Sequence, residues 1–396
     1  MAGEARGPGP GSDVAGAPRG VRVAAAPRRL RPAATSGPTL TALRRRAIAR
    51  SLFAPRPLAA AIDQLGFVQA DPIRAPARAQ DLILRPRVAG YRAGDLERVY
   101  GTLDIDEDFF VNYGFLTRPL RALLHPRTGL RAWVRPGRKV GEAVLDYVRA
   151  HGTVHPRQVD AHFAHGAVRN YWGGSSSATT HLLDHLHYRG LLRVVGRESG
   201  IRRYAACDLP LPIEGAVARR ARQDAIVDAV VALYAPLPSA TLAWLVNRMR
   251  HATPQWRAEA AAMLRRAKGR LAHARVADID WYWPVGEEMT GEEPAERVAL
   301  LAPFDPVVWD RRRFEAFWHW AYRFEAYTPA AKRRFGYYAL PMLWRDQVIG
   351  WANLSLVDGK LVAVFGYVSG RAPRDAAFRR ALEAEVAAME HFVAGW

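Results

Sequence analysis

The chain has 396 residues, enough for two to three domains at about 150 residues each, and its 49% hydrophobic content excludes global disorder. One cysteine, Cys207, excludes an internal disulfide framework and a cysteine-based zinc finger, and no apolar run reaches the roughly 18 residues of a membrane-spanning helix. A net charge of +19 favours a polyanionic partner, although only four of the 57 basic residues are lysines and such an arginine-rich composition also arises in GC-rich genomes.

Residues 1–37 are rich in Ala, Gly, Pro and Arg and show no apolar period. Six arginines against two acidic residues give this segment a charge of +4. Such a composition buries too little surface to offset the entropy of ordering, so we expect a disordered basic tail. A transit peptide is the alternative, but the segment lacks an amphipathic pattern.

Helical periodicity begins at Thr41 and opens a first predicted unit, residues 38–136. One helix carries Leu43 and Leu52 on a single face, and a second, over 59–65, ends at Gly66. The next residues, 67–73, read as a short extended segment that Pro72 ends. Two further helices are predicted over 75–84 and 94–100.

The second predicted unit, residues 137–212, has the clearest local pattern. It shows three helices, the last capped by the serines at 175–177 and ended by Gly190, and then two alternating strands. Three helices followed by a β-hairpin predict a winged helix, whose third helix usually enters a DNA groove. A similar order of elements recurs over 213–296, and the first unit is a plausible degenerate copy.

After residue 296 the pattern changes to strands, predicted over 298–309, 337–344, 348–356 and 361–368. Asp358-Gly359 is a two-residue hairpin signal, and a terminal helix carries Phe378 and Met389 on one face. We therefore expect an α+β fold, mainly α, with three tandem winged helices and a C-terminal β-rich, barrel-like domain over 297–396.

Common enzyme signatures are missing from the sequence: it has no Walker lysine loop, no Gly-x-Gly-x-x-Gly after a strand and no His-Glu-x-x-His. His181, His185 and His187 include a pair spaced for one helix face. No third metal ligand is evident near that pair, so no metal site is predicted.

Gln69-Ala70-Asp71 is the informative triplet. In an extended segment, residues i and i+2 point to the same side, so an amide and a carboxylate would converge while Ala70 faces the core. Such a pair could position and deprotonate a water molecule. The alternatives are that the aspartate caps the next turn and that the glutamine is a hydrogen-bonded strand residue.

Three blocks carry a family resemblance. The first reads Leu65-Gly-Phe-Val-Gln-Ala-Asp-Pro-Ile73, followed by Ala77-Arg-Ala-Gln-Asp-Leu82. The second includes Tyr171-Trp-Gly-Gly-Ser175 and Arg202-Arg-Tyr204, and the third includes Leu300-Leu-Ala-Pro-Phe-Asp305 and Gly336-Tyr-Tyr338. Over roughly residues 40–396, the chain resembles the YcaQ/AlkZ-type helix-turn-helix DNA glycosylases.

The resemblance implies tandem winged helices, a C-terminal β-rich domain, hydrolysis of the N-glycosidic bond of N7-alkylated purines, and unhooking of interstrand crosslinks. The family's catalytic motif, with Φ a hydrophobic residue, is Gln-Φ-Asp in the YcaQ-like branch and Gln-Φ-Gln in the AlkZ-like branch. Gln69 and Asp71 would therefore be the catalytic residues, in the YcaQ-like form. No lysine stands nearby to form a Schiff base, so we expect a monofunctional hydrolase without a cofactor.

The chain departs from the family pattern in three places. The segment Phe110-Val-Asn-Tyr-Gly-Phe115 stands where a Tyr-Trp-Ala-His stretch is expected, and Gln80 stands where relatives often carry histidine. Trp351-Ala-Asn-Leu-Ser355 replaces a commonly basic region. These departures bear on the substrate range more than on the fold.

DNA binding is expected to rest on phosphate contacts from basic side chains. The candidates are Arg85, Arg87, Arg189, Arg197, Arg202, Arg203, Lys332, Arg333 and Arg334. We expect a bacterial, cytoplasmic, nucleoid-associated monomer that acts on double-stranded DNA with alkylated bases or crosslinks. The alternative is a non-catalytic winged-helix DNA-binding protein or transcription regulator, although no long heptad zipper would pair two half-sites.

Overall fold

A computed structural model describes residues 37–128, 130, 137–164, 166–169, 175–208, 215–290 and 293–394. The predicted tail, up to residue 36, and the stretch 170–174 of the second resemblance block lie outside the described residues.

The first predicted unit contains helices, three short strands and 3-10 turns. Its helices are Leu40–Ser51 (α1), Leu58–Leu65 (α2), Ala79–Leu84 (α3), Asp95–Val99 (α4) and Arg118–Leu124 (α5). Its strands are Phe67–Gln69 (β1), Ile105–Phe109 (β2) and Tyr113–Thr117 (β3). The helix predicted over 75–84 is too long at its start, because the helix begins only at Ala79, after the extended residue Arg78.

The second and third predicted units repeat this mixture of helices and short strands. The second contains Arg138–His151 (α6), Thr153–Val154 (β4), Pro156–Phe163 (α7), Ala167–Arg169 (β5), Ser175–Ser177 (β6), Ala178–Tyr188 (α8), Leu192–Glu198 (β7) and Ile201–Ala206 (β8). The third contains Ala216–Tyr234 (α9), Leu237–Pro238 (β9), Ser239–Arg248 (α10), Ala260–Arg270 (α11), Ala272–Val276 (β10) and Ile279–Trp283 (β11).

One order of elements occurs three times in the described chain: helix, strand, helix, helix, strand, strand. It runs over α2–β3, over α6–β8 with β5 and β6 inserted, and over α9–β11. The sheets repeat as well, with strand orders β1-β3-β2, β4-β8-β7 and β9-β11-β10. The last strand lies in the centre of each sheet, so the three segments share one topology.

The C-terminal region has one four-stranded antiparallel sheet and two helices. Its elements are Val298–Leu300 (β12), Arg311–Trp318 (α12), Leu340–Trp344 (β13), Gln347–Val357 (β14), Lys360–Tyr367 (β15) and Ala376–Val393 (α13). Asp358 and Gly359 have φ angles of 50° and 74°, as the predicted hairpin turn requires. The strand order β12-β13-β14-β15 makes an open sheet, and a closed barrel does not form in the described residues.

Three hydrophobic clusters hold these elements together. One lies within the second predicted unit and includes Leu182, Leu186 and Tyr204. The other two join the first unit to the C-terminal region, and the larger of them also includes the third unit. Within the described residues, no helix is long and apolar enough to cross a membrane.

Candidate active site

Gln69 ends strand β1 and lies opposite Gly114 of β3. A Cβ atom on Gly114 would lie 2.4 Å from the Val68 carbonyl oxygen and 2.7 Å from the Phe67 ring. Only glycine therefore allows this close pairing of the two strands. Gln69 itself is buried, with 6% of its surface exposed.

Asp71 lies in a turn just beyond the strand. Its Oδ1 atom accepts a hydrogen bond from the Ile73 amide at 2.9 Å, and its own amide donates to Gln80 Oε1 at 3.4 Å. Strand β1 ends at Gln69, although the Ala70 amide still donates to the Tyr113 carbonyl at 3.0 Å, and Asp71 forms an Asx-type turn with Ile73. The aspartate therefore caps the following turn, as one alternative predicted. The convergence of Gln69 and Asp71 on one spot stays a prediction.

A cavity of about 480 Å³ opens at this turn. Ala70 and Asp71 line it together with four arginines, Arg74, Arg78, Arg197 and Arg202. Gln69 is not among the described residues that line this cavity. The structure thus brings residues 70–78 next to the β7–β8 hairpin, which supplies Arg197 and Arg202.

The electrostatics of the Asp71 carboxyl reflect partial burial. Burial raises its pKa above the ordinary value of an aspartic acid, and the hydrogen bond from Ile73 opposes that shift. Asp71 also lies near the C-terminal region: burial, and then the charge of Asp71, raise the pKa of the Tyr338 hydroxyl well above its usual range. That hydroxyl is buried and has no hydrogen-bond partner among the described residues.

Glu107 on β2 anchors part of the cavity wall. Arg197 donates to its two carboxylate oxygens at 3.1 and 2.6 Å, and Tyr113 donates to Oε2 at 2.8 Å. The Arg202 Nε atom lies 3.5 Å from the same carboxylate, and its guanidinium stacks 4.3 Å from the centre of the Tyr113 ring. Because Glu107 is only 1% exposed, these three lining side chains are held by a fixed buried charge.

Two of the predicted DNA-binding arginines lie in the interior, so those predictions are wrong. Arg87 is completely buried, and its guanidinium binds Asp305 at 2.7 and 2.9 Å. Arg85 has a side chain that is 7% exposed and forms two hydrogen bonds with Glu385. Each forms an ion pair that joins the turn after α3 to the C-terminal region.

The other predicted basic residues lie nearer the surface. Arg203, Lys332 and Arg334 are exposed. Arg333 is half-buried and donates to the Thr328 carbonyl at 2.8 Å, and Arg189 donates to His185 Nε2 at 2.7 Å. Together with the cavity residues Arg197 and Arg202, these residues are the remaining candidates for contacts with DNA.

The three histidines noted in the sequence, His181, His185 and His187, lie in different environments. His187 is buried with Nε2 2.8 Å from the Glu107 carbonyl oxygen, His185 contacts Arg189, and His181 is exposed. Over the described ranges, no group of three or more His, Cys, Asp or Glu side chains is arranged to hold a metal ion.

Comparison with known families decides the identity. A family model described as DNA glycosylase AlkZ-like matches residues 62–392. The chain belongs to the AlkZ-like DNA glycosylase family. This AlkZ-like protein is therefore a DNA glycosylase, and the matched span contains all the residues that line the cavity at Asp71.

A solved structure supports the fold of this AlkZ-like glycosylase. It is similar to the Streptomyces sahachiroi DNA glycosylase AlkZ with a TM-score of 0.59 and 14% sequence identity, over 90% of this chain and 97% of that chain. At that identity the likeness concerns the fold alone.

Sequence reasoning missed several residues around the cavity of this AlkZ-like glycosylase. Tyr113 lies in the segment 110–115, which stands out in the sequence only because a Tyr-Trp-Ala-His stretch is expected there. Glu107 belongs to an acidic run that gave no sign of burial, and nothing distinguished Arg74 and Arg78 from other arginines.

Proposed function

We propose that this glycosylase hydrolyses the N-glycosidic bond of N7-alkylated purines in double-stranded DNA, with Asp71 as the residue that activates water. One observation carries the proposal: the half-buried Asp71 carboxylate opens into a cavity of about 480 Å³ that four arginines also line. The carboxylate supplies a proton acceptor, and the arginines attract the phosphates on either side of an everted nucleotide.

The chemistry suits this group of residues. A purine alkylated at N7 is already cationic, so it departs without a general acid and leaves an oxocarbenium-like sugar. An ionised Asp71 stabilises that cation and takes a proton from the attacking water, a role that typically contributes about 10²–10⁴-fold. We assign Gln69, which directly precedes the cavity-lining Ala70, to holding the water or a sugar oxygen through its amide. No lysine is among the described residues that line the cavity, which favours hydrolysis over a Schiff-base lyase reaction.

The rest of the chain serves to hold DNA. We assign the repeated element order to three winged helices, over 38–136, 137–212 and 213–296, with the region 297–396 packed beside them. Phosphate contacts come from Arg189, Arg197, Arg202, Arg203, Lys332, Arg333 and Arg334. We propose that a cytoplasmic, nucleoid-associated monomer acts in this way and also unhooks interstrand crosslinks that pass through N7 of guanine.

A single-turnover excision assay tests the proposal. The substrates are duplexes with one N7-methylguanine or one nitrogen-mustard crosslink, and alkali cleaves the abasic product. Asp71→Asn is expected to bind DNA as the wild type does and to lose at least about 10²-fold in rate. Asp63→Asn, at an exposed position on α2, is the matched control and should keep the wild-type rate.

Other outcomes of this assay would change the proposed function or the role of Asp71 in it. Equal rates for wild type and Asp71→Asn would remove Asp71 from the mechanism. Excision of methylated bases without crosslink unhooking would restrict the substrate class. No excision by the wild type, combined with tight, sequence-selective binding, would favour the non-catalytic regulator.

A further inference from the structure

The amide of Gln69 ends a short hydrogen-bonded chain that begins on α10. Asn112 Nδ2 donates to Gln69 Oε1 at 3.1 Å, and Arg248 Nη2 donates to Asn112 Oδ1. Arg248 also donates through Nε to the Val111 carbonyl at 2.6 Å, and its guanidinium lies 5.2 Å from the centre of the Trp244 ring. Arg248 is thus fixed on three sides.

The donor and acceptor roles in this chain follow from the chemistry of arginine. A guanidinium has five N–H donors and no acceptor, so the group that Asn112 turns towards Arg248 must be its oxygen. The Asn112 nitrogen is then directed at Gln69, and the group that Gln69 turns towards Asn112 must be its own oxygen. One cation therefore determines the orientation of two amides.

The remaining amide nitrogen of Gln69 is left as a donor. No described residue accepts a hydrogen bond from Gln69 Nε2. Several completely enclosed side-chain atoms in the described residues lack a partner, and Gln69 Nε2 does not belong to that group. It is therefore not completely enclosed, although the residue as a whole is buried. An N–H group in that position binds an oxygen lone pair and cannot accept a proton.

We infer that Arg248 and Asn112 are positioning residues that hold Gln69 as a hydrogen-bond donor to the attacking water or to an oxygen of the substrate sugar or phosphate. The inference rests on the proposed catalytic function of Gln69 and Asp71. The two residues then have different roles: Asp71 accepts a proton, and Gln69 donates a hydrogen bond to an oxygen.

Asn112→Asp is the variant that reverses the orientation of the Gln69 amide. A carboxylate keeps the acceptor for Arg248 but has no N–H for Gln69, so the Gln69 amide turns over and directs its oxygen outwards. We expect the single-turnover rate constant to fall roughly tenfold to a hundredfold, as for the loss of one hydrogen bond to a positioned oxygen. The dissociation constant for product DNA and the melting temperature should stay close to those of the wild type.

Arg248 offers an independent pair of variants. Arg248→Lys keeps a group that only donates and should retain most of the rate. Arg248→Gln introduces an amide whose oxygen can accept a hydrogen bond from the amide nitrogen of a turned Asn112, so it should lose rate as Asn112→Asp does. This comparison decides the question even if Asn112→Asp fails to fold, since equal rates for the lysine and glutamine variants would overturn the inference.

Gln69→Ala separates failure of this inference from failure of the proposed function. If Gln69→Ala keeps the full rate, Gln69 has no catalytic role and both statements fail for that residue. If Gln69→Ala loses rate while Asn112→Asp does not, only the positioning by Arg248 and Asn112 is wrong. When both lose rate, the double variant should be no slower than Gln69→Ala alone, and full additivity of the two losses would contradict the inference.

Discussion

Arg87 and Asp305 form a two-point ion pair in which neither side chain is exposed, with N–O distances of 2.7 and 2.9 Å. The same guanidinium donates to the carbonyl groups of Ser51 and Ile83 at 2.6 and 2.5 Å. Arg87 follows α3, the helix that carries Gln80, and Asp305 follows β12. The pair therefore ties the segment next to Asp71 to the C-terminal region.

Arg87→Ala is expected to lower the free energy of unfolding by about 3–5 kcal/mol, because it leaves Asp305 buried without a partner. Chemical denaturation measures this loss. Arg203→Ala, at an exposed position, should change the value by less than about 0.5 kcal/mol. If Arg87→Ala kept the wild-type stability and bound DNA more weakly, Arg87 would be a DNA-contacting residue and not a structural one.

The pH dependence of excision should follow the ionisation of Asp71. Its pKa is raised by burial, and the reaction needs the carboxylate, so the rate should rise with pH and level off. The midpoint is expected above about 3.9, the ordinary value for an aspartic acid. A single-turnover pH profile on N7-methylguanine DNA measures it, and a flat profile across that range would contradict the role of Asp71.

Asp71→Asn should also test the stability of the fold. A carboxyl group whose pKa is raised in the folded state stabilises the fold below its unfolded pKa, and that contribution is lost as pH rises through the folded pKa. At neutral pH the charge of Asp71 is a net cost, while an asparagine Oδ1 keeps the bond from Ile73. The melting temperature of Asp71→Asn should therefore equal or exceed that of the wild type at neutral pH, and a clear decrease would contradict this reasoning.

Gly114→Ala should damage both stability and activity. The new methyl group would press on the Val68 carbonyl and the Phe67 ring, so β1 must shift and move Gln69 with it. We expect a loss of about 1–3 kcal/mol in unfolding free energy, together with a slower single turnover. Gly101→Ala is the control, since a Cβ there meets no atom within 4 Å. Wild-type behaviour of Gly114→Ala would show that the strand pairing tolerates a side chain.

The salt dependence of DNA binding should separate surface arginines from structural ones. For each true phosphate contact among the exposed candidates Arg203, Lys332 and Arg334, substitution by glutamine should reduce the slope of log K against log salt by about 0.9. Arg85→Gln should leave that slope unchanged, because its side chain is occupied by Glu385. Fluorescence anisotropy over a salt series measures the slope, and the reverse pattern would place the DNA on another face.

Elements with strong local signals were predicted well. Ser177 caps α8 as expected, with its hydroxyl accepting from the amide nitrogens of Thr179 and Thr180. The apolar period of that helix placed Leu182 and Leu186 in the core, where both are fully buried. Capping, periodicity and two-residue turns act within a few residues, so the sequence displays them directly.

Strand β2 is an element that such local signals do not predict. It contains Asp106, Glu107 and Asp108, which are types depleted in strands, and yet all three are buried. Their partners include Arg193, which donates to Asp106 at 3.0 Å, and Arg127, which donates to Asp108 at 2.9 Å. A buried carboxylate is stable only with such partners, and here the partners come from other parts of the chain.

By itself, the sequence determined the family, the Gln-Ala-Asp triplet, the helical periods and the net charge of +19. The tertiary structure alone decided which arginines pair inside the protein, as Arg87 does, and which line the cavity, as Arg197 and Arg202 do. It also decided that the Gln69 amide faces Asn112. The physical reason is that the energy of a charge or an amide depends on the partners around it, and the fold brings those partners from positions far apart in the sequence.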